Sequence, residues 1–294
     1  MKPAPFRYVR PSSVDEAISV LSEEGYGAKP LAGGQSLIPA MNFRLAQPAV
    51  LVDLDRVEEL KGIRDGAGAA AGGLYVGAMA RHADVESSRL VRERSPLLAE
   101  ATPWIAHPQI RSRGTVGGSL AHADPAAELP AVMLALDARM HLRGPDGDRV
   151  MPFCDFCTGL FATALAPDEL LVGIEIPGLP DRTGCAFEEM SRRHGDYALV
   201  GACSVLTLDG EGICTRASVS LFSVGDGPVR AKAAEDLLLG RVPSAEAIRE
   251  AAEAAATRDI DPPADIHASA AFRRQLARVL TTRALRTAAG RAAA

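Results

Sequence analysis

A multi-part chain of mixed α/β or α+β class is what this sequence predicts, and three observations carry the expectation. At 294 residues it exceeds the roughly 150 residues of one ordinary domain. Hydrophobic residues make up 47%, and 27 glycines with 20 prolines fit a globular protein rather than a fibrous or disordered one. Short apolar runs of strand length alternate with longer amphipathic ones. Besides Gly72-Gly73 in a small-residue stretch, two glycine pairs interrupt that alternation, in Leu31-Ala-Gly-Gly-Gln-Ser-Leu37 and Thr115-Val-Gly-Gly-Ser119.

In chain order, Ser13-Val-Asp-Glu16 forms a capping box, and Val14, Ala17, Ile18 and Leu21 follow at helical spacing until Gly25 closes the segment. A short apolar run ends at Leu31 and Ala32. The Gly33-Gly34 loop comes next, and Leu37 to Leu45 reads as a helix with Pro39 in its first turn, where proline is tolerated. Val50-Leu-Val-Asp-Leu54 reads as a buried strand. The small-residue stretch from Asp65 to Gly73 fits a hairpin or surface loop ahead of Leu74-Tyr-Val76, and a subdomain boundary is expected near it. A helix is expected from about Ser95 to Ala106. His107-Pro108 stops it, because the residue before a proline is pushed out of helical dihedrals. The second glycine pair follows as a loop, and Pro125 sits in the first turn of the next helix, whose Leu129, Val132, Met133 and Leu136 share a face.

Ala138 to Leu142 and Arg149 to Pro152 flank Gly144-Pro-Asp-Gly147, a hairpin signature. Leu170 to Ile176 is a strand that ends at Pro177, and Gly178 to Gly184 looks like a connection to a last domain. There, strands at Val200 to Leu208 and Ala217 to Phe222 precede helical runs at Ala231 to Leu239, Ser244 to Ala256 and Ala268 to Ala288, with a frayed alanine-rich tail. A net charge of −5 draws the whole molecule to neither nucleic acid nor an anionic membrane. The first residues lack the apolar core of a secretory signal, and no apolar run reaches the roughly 20 residues that span a bilayer. Five cysteines, an odd number without framework spacing, suit a reducing compartment, so a cytoplasmic protein is expected.

Paired glycines lack Cβ atoms, so the backbone can approach an anion and turn its N–H groups toward it. A helix after Gly33-Gly34-Gln35-Ser36 adds its partial positive end, and the Ser36 hydroxyl is a further donor. The alternative is a tight turn with no ligand, since so brief a motif matches neither G-x-G-x-x-G nor a P-loop. The stretch from Arg111 to Glu128 carries more, with two arginines, three hydroxyls, a glycine pair, a histidine and two acids. Cys154-Asp-Phe-Cys157 is the sole C-x-x-C and reads as structural, and Cys185, Cys203 and Cys214 are not spaced for an iron–sulfur cluster. His107, His122 and Asp124 read as hydrogen-bonded loop groups rather than a metal site, and no catalytic residue or metal ligand is expected.

Taken together, Leu31-Ala-Gly-Gly-Gln-Ser-Leu-Ile38 and Arg113-Gly-Thr-Val-Gly-Gly-Ser-Leu-Ala-His-Ala-Asp-Pro-Ala-Ala-Glu-Leu-Pro130 resemble the FAD-binding subunit of molybdenum hydroxylases. That family includes the medium subunit of aerobic carbon monoxide dehydrogenase and the flavin domain of xanthine dehydrogenase. The resemblance extends through Pro167-Asp-Glu-Leu-Leu171, Ile174-Glu-Ile-Pro177 and Ala186-Phe-Glu-Glu-Met-Ser-Arg-Arg-His-Gly-Asp-Tyr-Ala198, which covers nearly the whole chain. It implies an α+β protein with a PCMH-type two-subdomain FAD-binding fold over 1–177, divided near residue 60, and a small α+β C-terminal domain over 178–294.

The resemblance also implies a cofactor set. Ala32, Gly33, Gly34, Gln35 and Ser36, with Leu37 beside them, would meet the FAD pyrophosphate. Thr115, Gly117, Gly118 and Ser119 would lie against the diphosphate, ribityl chain and flavin edge, with Asp124 in the same motif. Glu128 matches an acid, usually aspartate, that binds ribityl or ribose hydroxyls, and Leu171 would lie by the adenine or flavin. Tyr197 either stacks near the isoalloxazine or is a buried tyrosine with its hydroxyl bonded. Three departures stand out: Gln35 replaces a frequent histidine, Ser119 the usual asparagine, and Glu188 and Glu189 occupy a stretch where relatives place a lysine near the flavin. The implied function is electron transfer through FAD, from iron–sulfur clusters to an outside acceptor. The implied partners are a large molybdopterin subunit and a small subunit with 2Fe–2S clusters, in a heterotrimer, alone or dimerised. The rivals are a stand-alone flavin oxidoreductase and a non-catalytic nucleotide-binding protein. Trp104 is expected in the core or a subunit interface, and Gly33→Val and Gly118→Val are expected to strip FAD by blocking backbone approach.

Overall fold

The computed structural model describes residues 2–68 and 71–294. Its first part is a βαβαβ unit: β1 (Arg7–Val9), α1 (Val14–Glu24), β2 (Ala28–Leu31), α2 (Leu37–Asn42) and β3 (Val50–Asp53). Ser13 caps α1 by accepting the Glu16 amide at 3.1 Å, while the Glu16 carboxylate reaches back to the Ser12 amide at 2.7 Å. β3 lies between β1 and β2, parallel to both, so all four of its residues are buried. α2 stops at Asn42, short of the expected Leu45, because Arg44 turns to a φ of 58°.

The second part follows in the order β4 (Ile63–Asp65), β5 (Leu74–Gly77), α3 (His82–Ser87), α4 (Arg89–Arg94), α5 (Pro96–Ala101), α6 (Pro108–Arg111), α7 (Val116–His122), α8 (Glu128–Ala135), β6 (Arg139–Gly144), β7 (Gly147–Pro152), β8 (Cys157–Gly159), β9 (Ala162–Thr163) and β10 (Leu170–Ile176). Five of its strands form an antiparallel sheet in the order β4, β5, β10, β6, β7. The small-residue stretch joins β4 to β5, with the Gly66 amide donating to the Gly73 carbonyl at 3.0 Å. Within it, Ala69 and Ala70 lie outside the described residues.

Four expectations are corrected here. The helix expected to Ala106 ends at Ala101 and tightens to a 3₁₀ turn over Thr102–Trp104, because Pro103 has no N–H to continue the ladder. Pro108 opens α6 rather than stopping the helix before it, which has already ended at Trp104. The second glycine pair is not a loop: Gly117 and Gly118 lie in the first turn of α7. Pro125 precedes α8 instead of sitting in its first turn, since Asp124 takes the Ala126 amide at 2.9 Å and the Ala127 amide at 3.0 Å and so makes a separate turn.

The last part is a meander, β11 (Thr183–Ser191), β12 (Ala198–Leu208), β13 (Cys214–Phe222) and β14 (Val229–Arg230), followed by α9 (Lys232–Leu238), α10 (Ala245–Ala254) and α11 (Ala270–Ala293). β11 takes the place of part of the expected connection. Every residue of β12 is buried, because α8 covers one face of this sheet and α11 the other. The Ser218 and Ser220 hydroxyls, themselves buried, donate to the Ala135 and Ala131 carbonyls of α8 at 2.7 Å each. The tail is not frayed. Arg291 donates to Glu100 at 2.6 Å and to the Cys185 carbonyl, and Ala292 is buried.

One hydrophobic cluster joins α1, the first sheet, Met79 and Leu170, and another lies under α9 to α11. The largest fills the space between the five-stranded sheet, α5, α7, α8 and the inner face of the last sheet, where Cys185, Phe187, Cys203 and Phe222 contribute. Trp104 packs at its edge against Phe187 and His194, at ring distances of 6.1 and 5.3 Å. Among the described residues no helix is long and apolar enough to cross a membrane.

Candidate functional site

Between the first and second parts runs a cleft of about 780 Å³, within the range of small-molecule and cofactor sites. All fourteen residues expected to bind the cofactor line it: Ala32 to Leu37, Thr115, Gly117, Gly118, Ser119, Asp124, Glu128, Leu171 and Tyr197. Their chemistry differs from motif to motif. After β2 the chain turns at Gly34, whose φ of 73° is left-handed. The backbone amides of Gly33, Gly34, Gln35 and Ser36 meet no acceptor among the described residues. Four free amides in succession form a concave donor surface suited to an anion. α2 has only six residues and Ser36 makes no capping bond, so these amides outweigh the helix dipole.

The second motif is already satisfied by protein. The Gly117 amide donates to the Ala78 carbonyl at 2.8 Å, Val116 to Ala80 at 3.0 Å, and Gly118 to the Thr115 hydroxyl that caps α7 at 3.1 Å. Its glycines serve close chain packing. A Cβ on Gly117 would sit 2.7 Å from the Ala78 oxygen, and one on Gly118 would sit 2.6 Å from Thr115 Oγ1 and 3.3 Å from Ala32 Cβ. Gly33 does the same from the other side, since its Cβ would lie 2.8 Å from Gly114 Cα and closer still to the Arg113 oxygen. The two motifs therefore touch each other at their glycines. What α7 presents to the cleft is side chains: Ser119, whose hydroxyl is free among the described residues, and His122, whose ring lies 5.1 Å from that of Phe161.

The arginines of this stretch are scaffold. Buried Arg111 donates to Ile105 and Ala106 carbonyls at 3.0 and 3.2 Å and to Glu86 at 2.7 and 3.0 Å. Arg81 bridges the halves, bonding Asp55 of the first part at 2.6 Å and the Arg113 carbonyl of the second. Lys29 is the one lysine or arginine lining the cleft among the described residues.

Titratable groups in the cleft are strongly perturbed. Burial pushes Glu128, in the first turn of α8, up to about 7, and the charge of Asp124 adds to the rise. His82 is only 5% exposed, and neither ring nitrogen has a hydrogen-bond partner. Burial lowers it to about 4, against a smaller opposing effect of the Thr115 backbone, so it is a neutral imidazole at physiological pH. Lone histidines carry no sequence signal, and His82 was missed for that reason, as were Lys29 and Phe161. Tyr197 is not the buried tyrosine that was one of the two readings. It is 71% exposed at the cleft edge, and its hydroxyl is pushed up by partial desolvation and then by Asp124 and Glu128. Glu188 and Glu189 do not line the cleft.

Residues 4–179 match the family model described as the FAD binding domain in molybdopterin dehydrogenase, and 185–288 match the CO dehydrogenase flavoprotein C-terminal domain. The chain is 44% identical to 6-hydroxypseudooxynicotine dehydrogenase complex subunit alpha of Paenarthrobacter nicotinovorans, over 99% of this chain and 97% of that protein. It is 38% identical to the carbon monoxide dehydrogenase medium chain of Hydrogenophaga pseudoflava over the whole of both. Among solved structures it superposes on carbon monoxide dehydrogenase from H. pseudoflava with a TM-score of 0.95 at 40% identity, covering 99% of each chain. Quinoline 2-oxidoreductase from Pseudomonas putida 86 gives 0.92 at 40%, again over 99% of each chain. The chain belongs to the FAD-binding medium-subunit family of the molybdenum hydroxylases, flavoprotein oxidoreductase subunits of the carbon monoxide and xanthine dehydrogenase type.

Proposed function

We propose that this chain is the electron-transfer subunit of a molybdenum hydroxylase complex, standing between the 2Fe–2S clusters of a small partner subunit and an external acceptor. A large partner subunit would carry the molybdopterin. The observation that carries the reading is the run of four free amides, Gly33 to Ser36, facing a cleft that also holds a buried carboxyl at Glu128. Amides suit a diphosphate, and a buried acid suits sugar hydroxyls. Their pairing across one elongated cleft fits FAD. When bound, FAD supplies the redox chemistry of its isoalloxazine, and the chain supplies binding and orientation.

In this reading Gly33 to Ser36 and the Ser36 hydroxyl hold the diphosphate. Ser119 and Glu128 hold the hydroxylated chain, and Leu171 offers an apolar wall. Gln35 is committed to the Gly33 carbonyl at 3.1 Å and stiffens the loop. Tyr197, exposed at the cleft edge, is free to cover a ring there. His82 offers an unpartnered N–H that a ligand oxygen would satisfy. We take 1–177 as the FAD-binding unit and 178–294 as the C-terminal one, supported by the gap between the two family matches at 179 and 185.

The purified chain should be yellow, and heating should release FAD. A colourless preparation that cannot be loaded with FAD defeats the reading. Co-purification with a molybdopterin subunit and an iron–sulfur subunit is expected. A chain that transfers electrons from its own substrate without them overturns the relay.

A further inference from the structure

Glu189 is the charge-bearing side chain that the cofactor reading leaves unexplained. It is 7% exposed, and neither carboxyl oxygen has a hydrogen-bond partner. Burying a carboxylate without a partner is costly, so the group must be neutral there or serve something that repays the cost.

The strand register shows where it points. Directly opposed residues on neighbouring strands share a face, and residues two apart on one strand share a face. Glu189 pairs with Gly201, and Gly201 pairs with Phe222. Phe222 lies two residues beyond Ser220, whose hydroxyl bonds the Ala131 carbonyl of α8. Glu189 therefore faces α8. The level is also fixed: Ser218 meets Ala135 and Ser220 meets Ala131, so the next row, Glu189 to Phe222, falls at the first turn of α8, where Glu128 stands. The Ser223 amide donates to the Pro125 carbonyl at 2.8 Å and pins that end.

Around this row the packing is mainly apolar, with Phe187 stacked on Phe222 at 5.8 Å. The titratable groups on the surrounding elements are Glu128 on α8, Glu100 on α5, Cys185 on the same strand, Cys203 on β12, and His194 beside Trp104. No arginine or lysine pairs with Glu189 among the described residues. Burial raises its pKa to about 8, and the charge of Glu128 contributes.

We propose that Glu189 is held as a neutral acid behind Glu128, and that its proton is what allows Glu128 to stand as a carboxylate in the cofactor cleft. Glu189 is thus a positioning residue that acts through Glu128 and sets the alkaline limit of cofactor binding. Two buried carboxylates facing one helix end repel, so their ionisations are pushed apart and the pair holds one proton between them. When Glu189 ionises, its charge drives a proton back onto Glu128 or forces the pair apart, and the cleft loses its fixed acceptor.

This inference rests on the reading of Glu128 as a cofactor-binding acid, and the test separates the two. FAD is stripped from the 294-residue chain and its Kd is measured by flavin fluorescence titration from pH 5.5 to 9.5. The parent chain should bind best near pH 7.5 and weaken at both ends, by up to about tenfold per pH unit on each limb. Glu189→Gln and Glu189→Leu should both keep the acid limb and lose the alkaline one. Cys185, Cys203 and Tyr197 are all raised above their usual values and do not supply a limb in this window. A folded Glu189 variant that keeps the alkaline limb, or a parent profile flat above pH 7.5, overturns the inference. If Glu128→Gln binds FAD as tightly as the parent with no acid limb in either, the cofactor role of Glu128 fails first. A purely structural Glu189 would weaken binding equally at every pH.

Discussion

Replacing Gly33 with alanine puts one carbon atom where the two motifs meet. An ideal Cβ there lies 2.8 Å from Gly114 Cα and closer still to the Arg113 oxygen. Both are backbone atoms, so no rotamer change relieves the clash. The Arg113 carbonyl is also held by Arg81, itself fixed to Asp55 at 2.6 Å. Overpacking at a site of this kind costs about 1–3 kcal/mol. At 1.4 kcal/mol per decade, that cost weakens FAD binding by about 5- to 150-fold if it falls on the assembled cleft. Gly34→Ala is the internal comparison. Its φ of 73° adds strain of about 1–2 kcal/mol, but its Cβ meets a movable side-chain atom, Ile38 Cγ1, at 3.2 Å. The assay is fluorescence titration of stripped protein with FAD, beside thermal melting without FAD. Gly33→Ala should lower both affinity and FAD-free melting temperature, because the clash is between two parts of the chain. Affinity within twofold of the parent, or a loss of affinity with FAD-free melting unchanged, refutes the reasoning.

His82→Phe keeps the packing and removes two unpartnered nitrogens, so FAD binding should weaken by about 2- to 12-fold, the worth of one hydrogen bond of about 0.5–1.5 kcal/mol; unchanged affinity removes His82 from the site. The same variant tests a stability linkage. The folded pKa of about 4 lies below the usual 6.5, so stability present above pH 6.5 is lost as pH falls toward 4, by about 3 kcal/mol. Melts of the FAD-free chain should show that the variant loses less stability than the parent between these pH values. Arg81→Met breaks the link between Asp55 and the Arg113 carbonyl and should cost about 1.5–3 kcal/mol for hydrogen bonds to a charged group, read as a lower denaturant midpoint and weaker FAD binding. Removing residues 289–294 deletes Arg291, which holds Glu100 and the Cys185 carbonyl; the melting temperature should fall by several degrees, and an unchanged one would restore the frayed tail.

Local pattern was a good guide wherever one periodicity ruled a segment. The α1 cap, the β6–β7 hairpin and the apolar β10 and β12 all lie where spacing put them. β11 was missed because its inner face, Cys185, Phe187 and Glu189, ends in an acid where an apolar residue was needed to read as a strand. Pro103 shortened α5 because proline acts through the missing N–H as well as through the residue before it.

The second glycine pair shows a deeper limit. Two glycines in the seven-residue α7 cost about 1 kcal/mol each against alanine, so a helix there is a poor guess from propensity, and close approach to a ligand is the natural explanation. The structure supplies a different one. Gly117 lets α7 rest on Ala78, and Gly118 lets it rest on Ala32 beside Gly33. The close approach is of chain to chain, and it holds the free amides of Gly33 to Ser36 opposite Ser119 and Glu128. A sequence records that a backbone needs room without recording what fills it. Only the three-dimensional pairing of the motifs separates a glycine that admits a phosphate from one that admits its neighbouring strand.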